Sequence, residues 1–170
     1  MRDKLIRGAR PWKPRTSRRY AFAMLDPVNQ AILAELQREA RLSMAELGRR
    51  VKLSPPAVAE RVQRLEREGV IRGYHADLDP AKLGYAIAAV VRVAPATRQL
   101  DKIREIARDT PEVVECHRIT GEDCFFLKLH LRSIDDLEPL LDRFTPYGRT
   151  TTSIIHSSPV DRRPLPLDPS

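Results

Sequence analysis

The earliest clear hydrophobic pattern in the chain is that of an amphipathic helix. Ile32, Leu33 and Leu36 have the spacing that places apolar residues on one face of an α-helix. Asp26 followed by Pro27 is typical of a helix start, because aspartate caps free amide groups and proline lacks the amide that the first turn leaves unbonded. We therefore predict a helix that begins at Pro27.

Two further helix starts follow, separated by a short turn. Ser43 lies three residues before Glu46, the spacing of a capping box in which each side chain bonds a backbone amide of the other residue. Ser54 precedes Pro55, which is again a cap followed by a favourable first helical residue. Because only about three turn residues separate the predicted helices, at about 44–51 and 55–68, the pattern predicts a helix-turn-helix.

The longer of these helices is predicted to end at Gly69, a residue common just after helix C-termini. Its inward stripe has helical spacing and consists of Val58, Val62 and Leu65. The apolar residues that follow, with Gly73 at a turn, predict a small β-wing formed by Val70, Ile71 and Tyr74. The N-terminal part is therefore predicted to be a winged helix-turn-helix.

Beyond Gly84 the pattern changes to one of strands interrupted by two helical stretches. An apolar run bounded by Arg92 and Pro95 predicts a buried strand. Later, Phe125, Leu127, Leu129 and Leu131 alternate with Cys124, Phe126, Lys128 and His130, which predicts a strand with one covered face. The predicted order is strand 85–91, helix 100–108, strand 113–119, strand 124–131, helix 134–144 capped by Ser133, and strand 150–156.

This β-α-β-β-α-β order is the ferredoxin-like arrangement, so the fold class is α+β. Two helices cover one face of such a sheet. The other face carries Phe126 and needs cover, which favours a dimer formed through the sheets. The predicted domains are a basic disordered arm (1–23), the winged helix-turn-helix (24–78), a linker (79–84), the ferredoxin-like domain (85–157) and a C-terminal tail (158–170) that either wraps around the protein or extends into solvent.

Charge is distributed unevenly along the 170 residues, whose net charge is +7. Residues 1–20 contain eight basic residues and one acidic residue, residues 41–73 eight and four, and residues 74–156 eleven and thirteen. This asymmetry suits a polyanion-binding module joined to a second domain. The arm is a DNA-contacting segment, a solvated tail, or an artefact of a start site upstream of Met24, and the sequence leaves these interpretations open.

Other features of the composition indicate a cytoplasmic protein with no membrane partner. No apolar run approaches the roughly 18 residues that a bilayer-spanning helix needs. The N-terminus lacks the apolar stretch of a secretory signal. Two cysteines, Cys116 and Cys124, are too few for a disulfide scaffold. Because neither they nor His117 and His130 have metal-ligand spacing, we expect no metal and no cofactor.

Three segments resemble the Lrp/AsnC family, the feast/famine regulators: LDPVNQAILAELQREARLS, ELGRRVKLSPPAVAERVQRLEREGVIRGYHADLDPAKLG and VVECHRITGEDCFFLKL. They resemble, in family order, the first helix, the DNA-binding helices with wing and linker, and the signature hairpin of the effector (RAM-type) domain. The resemblance extends from about Leu25 to His156. It implies transcription regulation, dimers that often assemble into octamers, and amino acids as effectors.

The hairpin departs from the family pattern by one residue. The family has Gly, two residues, then Asp and an aromatic residue, whereas here Cys124 stands in the aspartate position and Asp123 comes one residue earlier. In a regular strand this offset would place Asp123 on the opposite face. Asp123 takes the family role only if the turn is re-registered.

The recognition helix supplies the candidate DNA contacts, which are Ser54, Pro55, Pro56, Ala59, Glu60, Arg61, Gln63, Arg64 and Arg67. Its N-terminal half is expected to enter the major groove. Gln63 suits an adenine edge, Glu60 a cytosine amino group and Ala59 a thymine methyl. The three arginines and Ser54 suit phosphates. The alternative is a solvated face held by ion pairs such as Glu60 with Arg64.

The candidate effector site is the hairpin turn with two residues of the last strand: Thr120, Gly121, Glu122, Asp123, Thr151 and Ser153. Their polar side chains and backbone amides could orient an α-amino acid, although a plain hairpin with a charged turn is the alternative.

The predicted function is a sequence-specific DNA-binding transcription regulator controlled by a small-molecule effector, an amino acid, and not an enzyme. Its predicted partners are double-stranded DNA, the effector, and further copies of the chain in a homodimer or an assembly up to an octamer. One alternative is a nonspecific DNA-compacting protein driven by the basic arm. The other is a tetrapyrrole decarboxylase-like enzyme, although the histidines at 75, 117, 130 and 156 do not converge in the sequence pattern.

Overall fold

The computed structural model describes residues 25–167, and the predicted arm lies outside this range. The chain forms two compact units. Within the described range, the first unit consists of residues 25–75 and 163–167, whereas the second is Ala76–Arg162.

Three helices form the first unit: α1 (Pro27–Arg38), α2 (Met44–Val51) and α3 (Pro55–Arg67). Asp26, Ser43 and Ser54 cap the three helices as predicted, but the capping box at Ser43 is only half formed, because the carboxylate of Glu46 bonds Arg49 and Arg50. Asp26 Oδ1 accepts a hydrogen bond from the amide of Asn29 at 2.7 Å, and Ser43 Oγ accepts one from the amide of Glu46 at 3.1 Å. Ser54 Oγ accepts from the amide of Ala57 at a longer 3.4 Å. These caps fix where α2 and α3 begin, and hence the turn between them.

The core of the first unit is made by the predicted inward stripes of all three helices. The buried apolar residues are Ile32, Leu33, Leu36, Leu42, Leu47, Val58, Val62 and Leu65. Leu167, from the C-terminal tail, packs against this cluster. The last described residue of the tail is thus part of the first unit.

The turn between α2 and α3 depends on a close approach of backbone to backbone. Lys52 adopts a left-handed conformation with φ 57°, and the amide of Leu53 donates to the carbonyl of Gly48 at 2.8 Å. A Cβ atom at Gly48 would lie 2.7 Å from the carbonyl oxygen of Leu53. Glycine therefore permits this turn.

The chain after α3 differs from the small β-wing that we expected. Gly69 has φ 73° and ends the helix, and the amides of Val70 and Ile71 both donate to the carbonyl of Leu65. Residues 70–79, all within the described range, contain no strand. Instead, the hydroxyl of Tyr74 donates to Glu66 Oε1 at 3.0 Å, so this segment returns to α3.

The second unit has the predicted β-α-β-β-α-β order. Its elements are β1 (Ile87–Pro95), α4 (Leu100–Arg108), β2 (Val113–Arg118), β3 (Phe125–Leu131), α5 (Leu137–Leu141) and β4 (Gly148–Ile154). Every paired strand is antiparallel, in the order β2-β3-β1-β4. This arrangement confirms the α+β fold class and the ferredoxin-like topology.

Alternate side chains of the two central strands, β1 and β3, point into the core of the second unit. Side chains from β1 and β3 pack with those of the helices, and the buried residues are Ala89, Val91, Val93, Ile103, Ile106, Ala107, Phe125, Leu127, Leu129, Leu131, Leu140 and Phe144. The intervening side chains of β1 and β3 lie on the opposite face of the sheet, which we call the open face.

Several predicted boundaries differ from the structure by a few residues, and two of the differences have a clear physical reason. The first strand continues past Arg92 to Pro95, because Arg92 alternates outward between buried Val91 and Val93. The helix predicted at 134–144 is divided into a 3-10 turn (Ile134–Asp136) and α5. Pro139 has no amide to donate, so it is tolerated in the first turn of α5 but would interrupt the hydrogen bonding of one continuous helix from Ile134.

Across residues 25–167, none of the helices combines the length and apolar character that a bilayer span requires.

Candidate DNA-binding helix and effector site

Helix α3 presents a continuous polar side to solvent. Pro56, Glu60, Gln63, Arg64 and Arg67 are exposed, as are Ser54 and Pro55 at its start, and Ala59 is half-buried. The opposite stripe is buried in the core of the first unit. The geometry therefore brings eight of the nine predicted DNA contacts onto the accessible side and start of one helix.

Arg61 is the exception, because its guanidinium group bonds within the protein. Its Nη1 donates to Asp26 Oδ2 at 2.7 Å and to Asn29 Oδ1 at 2.9 Å. The hydrogen bond from Arg61 is the main cause that lowers the pKa of Asp26. Arg61 thus joins α3 to the N-terminal cap of α1, and it is not presented as a free phosphate contact.

Arg64 forms an ion pair, but with a different partner from the one expected. Its Nε lies 3.0 Å from Glu68 Oε1, one turn further along α3, whereas the sequence suggested Glu60. The side chain of Arg64 is still 62% exposed. Such an exposed pair is weak, and Arg64 can therefore exchange Glu68 for a phosphate.

A group of ion pairs holds α2 against α1. Arg50 lies within 3.1 Å of Glu35, Glu39 and Glu46, and Glu46 also binds Arg49. Hydrogen bonds from Arg49 and Arg50 lower the pKa of Glu46 to about 2. This network positions α2 and thereby the turn that leads into α3.

The predicted effector turn is an exposed hairpin between β2 and β3. The amide of Ile119 donates to the carbonyl of Cys124 at 2.9 Å and closes the turn. Gly121 has φ 111°, a conformation that few other residues adopt. Thr120, Gly121 and Glu122 are exposed.

Asp123 turns towards the open face of the sheet. Its Oδ2 lies 3.1 Å from Arg92 Nη1, and Arg92 is on the open face of the central strand β1. Cys124 was expected on the open face, and this prediction was wrong because Cys124 packs against the core together with Phe125. Since β3 begins only at Phe125, Cys124 is not bound by strand alternation, and the turn is re-registered.

Arg92 also connects Asp123 to the last strand. In the strand register Arg92 faces Thr151 on β4 and Phe126 on β3, and Phe126 in turn faces His117 on β2. Ser153 lies one step further along the open face, opposite Val90. Asp123 and Thr151 therefore both lie beside Arg92, a residue that the sequence pattern had not indicated as part of the site. The alternation of Val91, Arg92 and Val93 was the available signal.

A groove of about 560 Å³ lies over a different part of the open face, around Lys128 and His130 of β3. Its lining includes Leu83, Tyr85, Lys128, His130 and Ile155. Burial is the main cause that lowers the pKa of His130, and its Nδ1 is buried without a hydrogen-bond partner among the described residues. No group of three or more His, Cys, Asp or Glu side chains within residues 25–167 could hold a metal ion.

Both units match families of known proteins. The winged helix-turn-helix DNA-binding model matches residues 25–72, and the Lrp/AsnC ligand binding domain model matches residues 88–165. The HTH-type transcriptional regulator LrpC of Bacillus subtilis is 36% identical over 78% of this chain and 92% of its own length. The leucine-responsive regulatory protein of Escherichia coli is 35% identical over 69% of this chain and 73% of its own length.

Solved structures agree with these matches. The structure of B. subtilis LrpC superposes on this chain with a TM-score of 0.77 and 35% sequence identity. The superposition includes 82% of this chain and 99% of the LrpC chain. A transcriptional regulator of Neisseria meningitidis in complex with L-methionine superposes with a TM-score of 0.78 and 29% identity, and covers 85% of this chain and 97% of that chain. The order of motifs, the fold and these relatives together establish that the chain belongs to the Lrp/AsnC family.

Proposed function

We propose that this protein is a transcription regulator that binds double-stranded DNA and responds to an amino-acid effector. One observation carries the proposal: a capped helix-turn-helix with an exposed polar recognition helix stands in one chain with a domain that matches the Lrp/AsnC ligand binding domain. The B. subtilis and E. coli relatives are both regulatory proteins by name, which favours regulation over the decarboxylase alternative.

The DNA-binding role is proposed for the exposed side of α3. Its N-terminal half enters the major groove, where Ala59, Glu60 and Gln63 read base edges. Arg64 and Arg67 neutralise phosphates, and Ser54, Pro55 and Pro56 bring the start of the helix close to the backbone. Arg61 does not contact DNA in this proposal but holds α3 against the start of α1 by hydrogen bonds to Asp26 and Asn29.

The effector role is proposed for the hairpin turn and two residues of the edge strand β4, at the rim of the open face. Thr120, Gly121, Glu122 and Asp123, with Thr151 and Ser153, would hold the effector. The N. meningitidis regulator forms a complex with L-methionine, and the E. coli relative is named for its response to leucine. An apolar amino acid is therefore the first class of effector to test.

We further propose that the functional molecule is a homodimer formed through the open faces, with octamers as the larger assembly. The half-buried Val90 and Phe126 on that face support this arrangement, because apolar side chains on an uncovered sheet face favour burial. A two-fold dimer would read two half-sites about one helical turn of DNA, or a multiple of it, apart. The DNA-binding domain is assigned to residues 24–78 and the effector domain to residues 85–157.

The test is loss of sequence-specific binding in the double variant Gln63→Ala plus Arg64→Ala. A duplex would be selected from a random library with the full chain, and its affinity measured by fluorescence anisotropy. We expect the double variant to bind this duplex about a hundredfold more weakly, since one base contact and one phosphate contact are lost. The matched control is Arg38→Ala, an exposed ion-paired arginine on α1.

Unchanged affinity in the double variant, with native circular dichroism, would contradict the proposal. A variant without residues 1–23, which begins at Met24, distinguishes sequence-specific binding by α3 from nonspecific compaction by the basic arm. If the arm drives binding, the truncated chain loses most of its affinity for every duplex and the salt dependence becomes shallow. If α3 reads the operator, the truncated chain keeps its preference for the selected duplex.

A further inference from the structure

The chain passes between its two units twice, whereas a linker between two successive domains would cross only once. It leaves the first unit after His75, forms the whole of the second unit, and returns to the first unit at Arg163. The second crossing lies in residues 155–167, a segment without helix or strand that follows β4 and that we call the strap. The DNA-binding unit is therefore joined to the rest of the chain at two points.

Each end of the strap is held by a different unit. At its start, the amide of Ile155 donates to the carbonyl of Ala88 at 2.8 Å and so continues the pairing of β4 with β1. At its other end, Leu167 packs against the hydrophobic core of the first unit. Ile155 and Leu167 are half-buried, and residues 156–166 between them are exposed. The strap is thus fixed at both ends and open to solvent between them.

The surface that receives the end of the strap lies on α1. A cavity of about 230 Å³ is lined by residues of the helix and of the strap: Ala34, Gln37, Arg38, Pro164, Leu165 and Leu167. The strap also has prolines at 159, 164 and 166. Proline fixes one backbone angle in the unfolded chain as well, so less conformational entropy is lost when the strap becomes ordered. A short segment with one apolar anchor can therefore stay attached.

We infer that the strap restrains the helix-turn-helix, because the DNA-binding unit is tied at both of its ends and not by the linker alone. This inference rests on the proposed function and adds to it a restraint on which operators are bound. Two connected sites are occupied together only when the connection between them can span the distance and rotation that separate them. In a two-fold dimer, the strap would therefore narrow the range of half-site spacings that the protein reads.

Hydrogen exchange measured by mass spectrometry tests the attachment without DNA. Leu167→Ser should make the amides of α1 exchange about fivefold faster, because roughly half of the burial energy of a leucine side chain is lost. A variant chain that ends at Arg162 should show at least the same increase. Val160→Ser is the matched control, since Val160 is an apolar residue of the same strap and is 59% exposed. We expect α1 to exchange in this control as it does in the wild type.

The spacing of half-sites tests the restraint. The selected duplex is compared with one in which about 5 bp, half a helical turn, are inserted between the half-sites. On insertion the wild type should lose about a hundredfold in affinity and Leu167→Ser about tenfold or less, because the released unit can rotate to the displaced half-site. The ratio of the two affinities is compared for each variant, since a partly unfolded DNA-binding unit would weaken both duplexes alike.

The two measurements distinguish failure of this inference from failure of the proposed function. If Leu167→Ser and the chain ending at Arg162 both exchange as the wild type does, the strap is not attached to α1 and the inference is overturned. Equal affinity ratios in wild type and Leu167→Ser also overturn it, because the attachment then restrains nothing. If the wild type selects no duplex, the proposed function fails and the restraint on spacing fails with it, while faster exchange in Leu167→Ser would still establish the attachment.

Discussion

At the scale of single residues, the position of a charged side chain in sequence does not determine its partner. Arg61, Arg64 and Arg67 all lie on α3, and the sequence suggested phosphate contacts for each. The structure separates them, because Arg61 reaches the start of α1 and binds Asp26 and Asn29. Arg64 and Arg67 remain exposed.

This difference predicts distinct effects on DNA binding and on stability. Arg61→Gln should lower the free energy of unfolding by about 0.5–1 kcal/mol, a small value because water screens the partly exposed pair. It should leave the slope of log affinity against log salt unchanged, since no phosphate contact is lost. Arg67→Gln should instead reduce that slope by about one. Urea denaturation and anisotropy at several salt concentrations measure the two effects, and a reduced slope in Arg61→Gln would show that Arg61 does contact phosphate.

Glu46 gives a prediction for pH dependence. Arg49 and Arg50 lower its pKa from 4.5 to about 2, so the folded protein favours the charged form. The stabilisation is therefore fully present above pH 4.5 and is lost as pH falls through about 2. We expect the difference in Tm between wild type and Glu46→Gln to be constant from neutral pH to about pH 5 and to shrink below it. Thermal denaturation by circular dichroism checks this, with the exposed Glu60→Gln as control. A difference that grows on acidification would exclude the assigned ion pairs.

At the scale of elements, the helix-turn-helix was predictable because its boundaries depend on local interactions. The caps at Asp26, Ser43 and Ser54 act within three residues, and the sequence alone specifies them. The effector turn was less predictable. The change of face between Asp123 and Cys124 depends on Arg92, thirty-one residues earlier in the chain, and a local pattern carries no such information.

The turn between α2 and α3 yields a prediction at this scale. Gly48→Ala would place a methyl group 2.7 Å from the carbonyl oxygen of Leu53, where only backbone movement can relieve the clash. We expect a loss of about 1–3 kcal/mol of stability, together with weaker operator binding because the start of α3 shifts. The control is Ala45→Gly in the same helix, which should cost about 0.5–1 kcal/mol through backbone entropy alone. Equal losses in both variants, measured by urea denaturation, would mean that the turn tolerates a side chain at position 48.

At the scale of the whole molecule, the open face is the part of the fold whose role a single chain does not determine. Alternation along β3 identified the face from sequence, whereas β1 was predicted only as a buried apolar strand and its outward side chains became evident in the structure. What covers the face depends on other copies of the chain, and a sequence pattern indicates only that cover is favourable. The assembly is accordingly a proposal, and it has a direct test.

Val90→Lys should convert the proposed dimer to a monomer. Val90 is half-buried on the open face and lies opposite Lys128, so a second lysine there would bring like charges into the interface and would remain poorly solvated in a sheet-to-sheet contact. Mass by light scattering should fall from at least twice that of one chain to that of a single chain. Ile134→Lys is the control, because Ile134 is exposed at 51% in the 3-10 turn outside the sheet, and its mass should equal that of the wild type. If Val90→Lys keeps the wild-type mass with a folded circular dichroism spectrum, the copies associate through another surface, and the two exposed edge strands, β2 and β4, become the next surfaces to test.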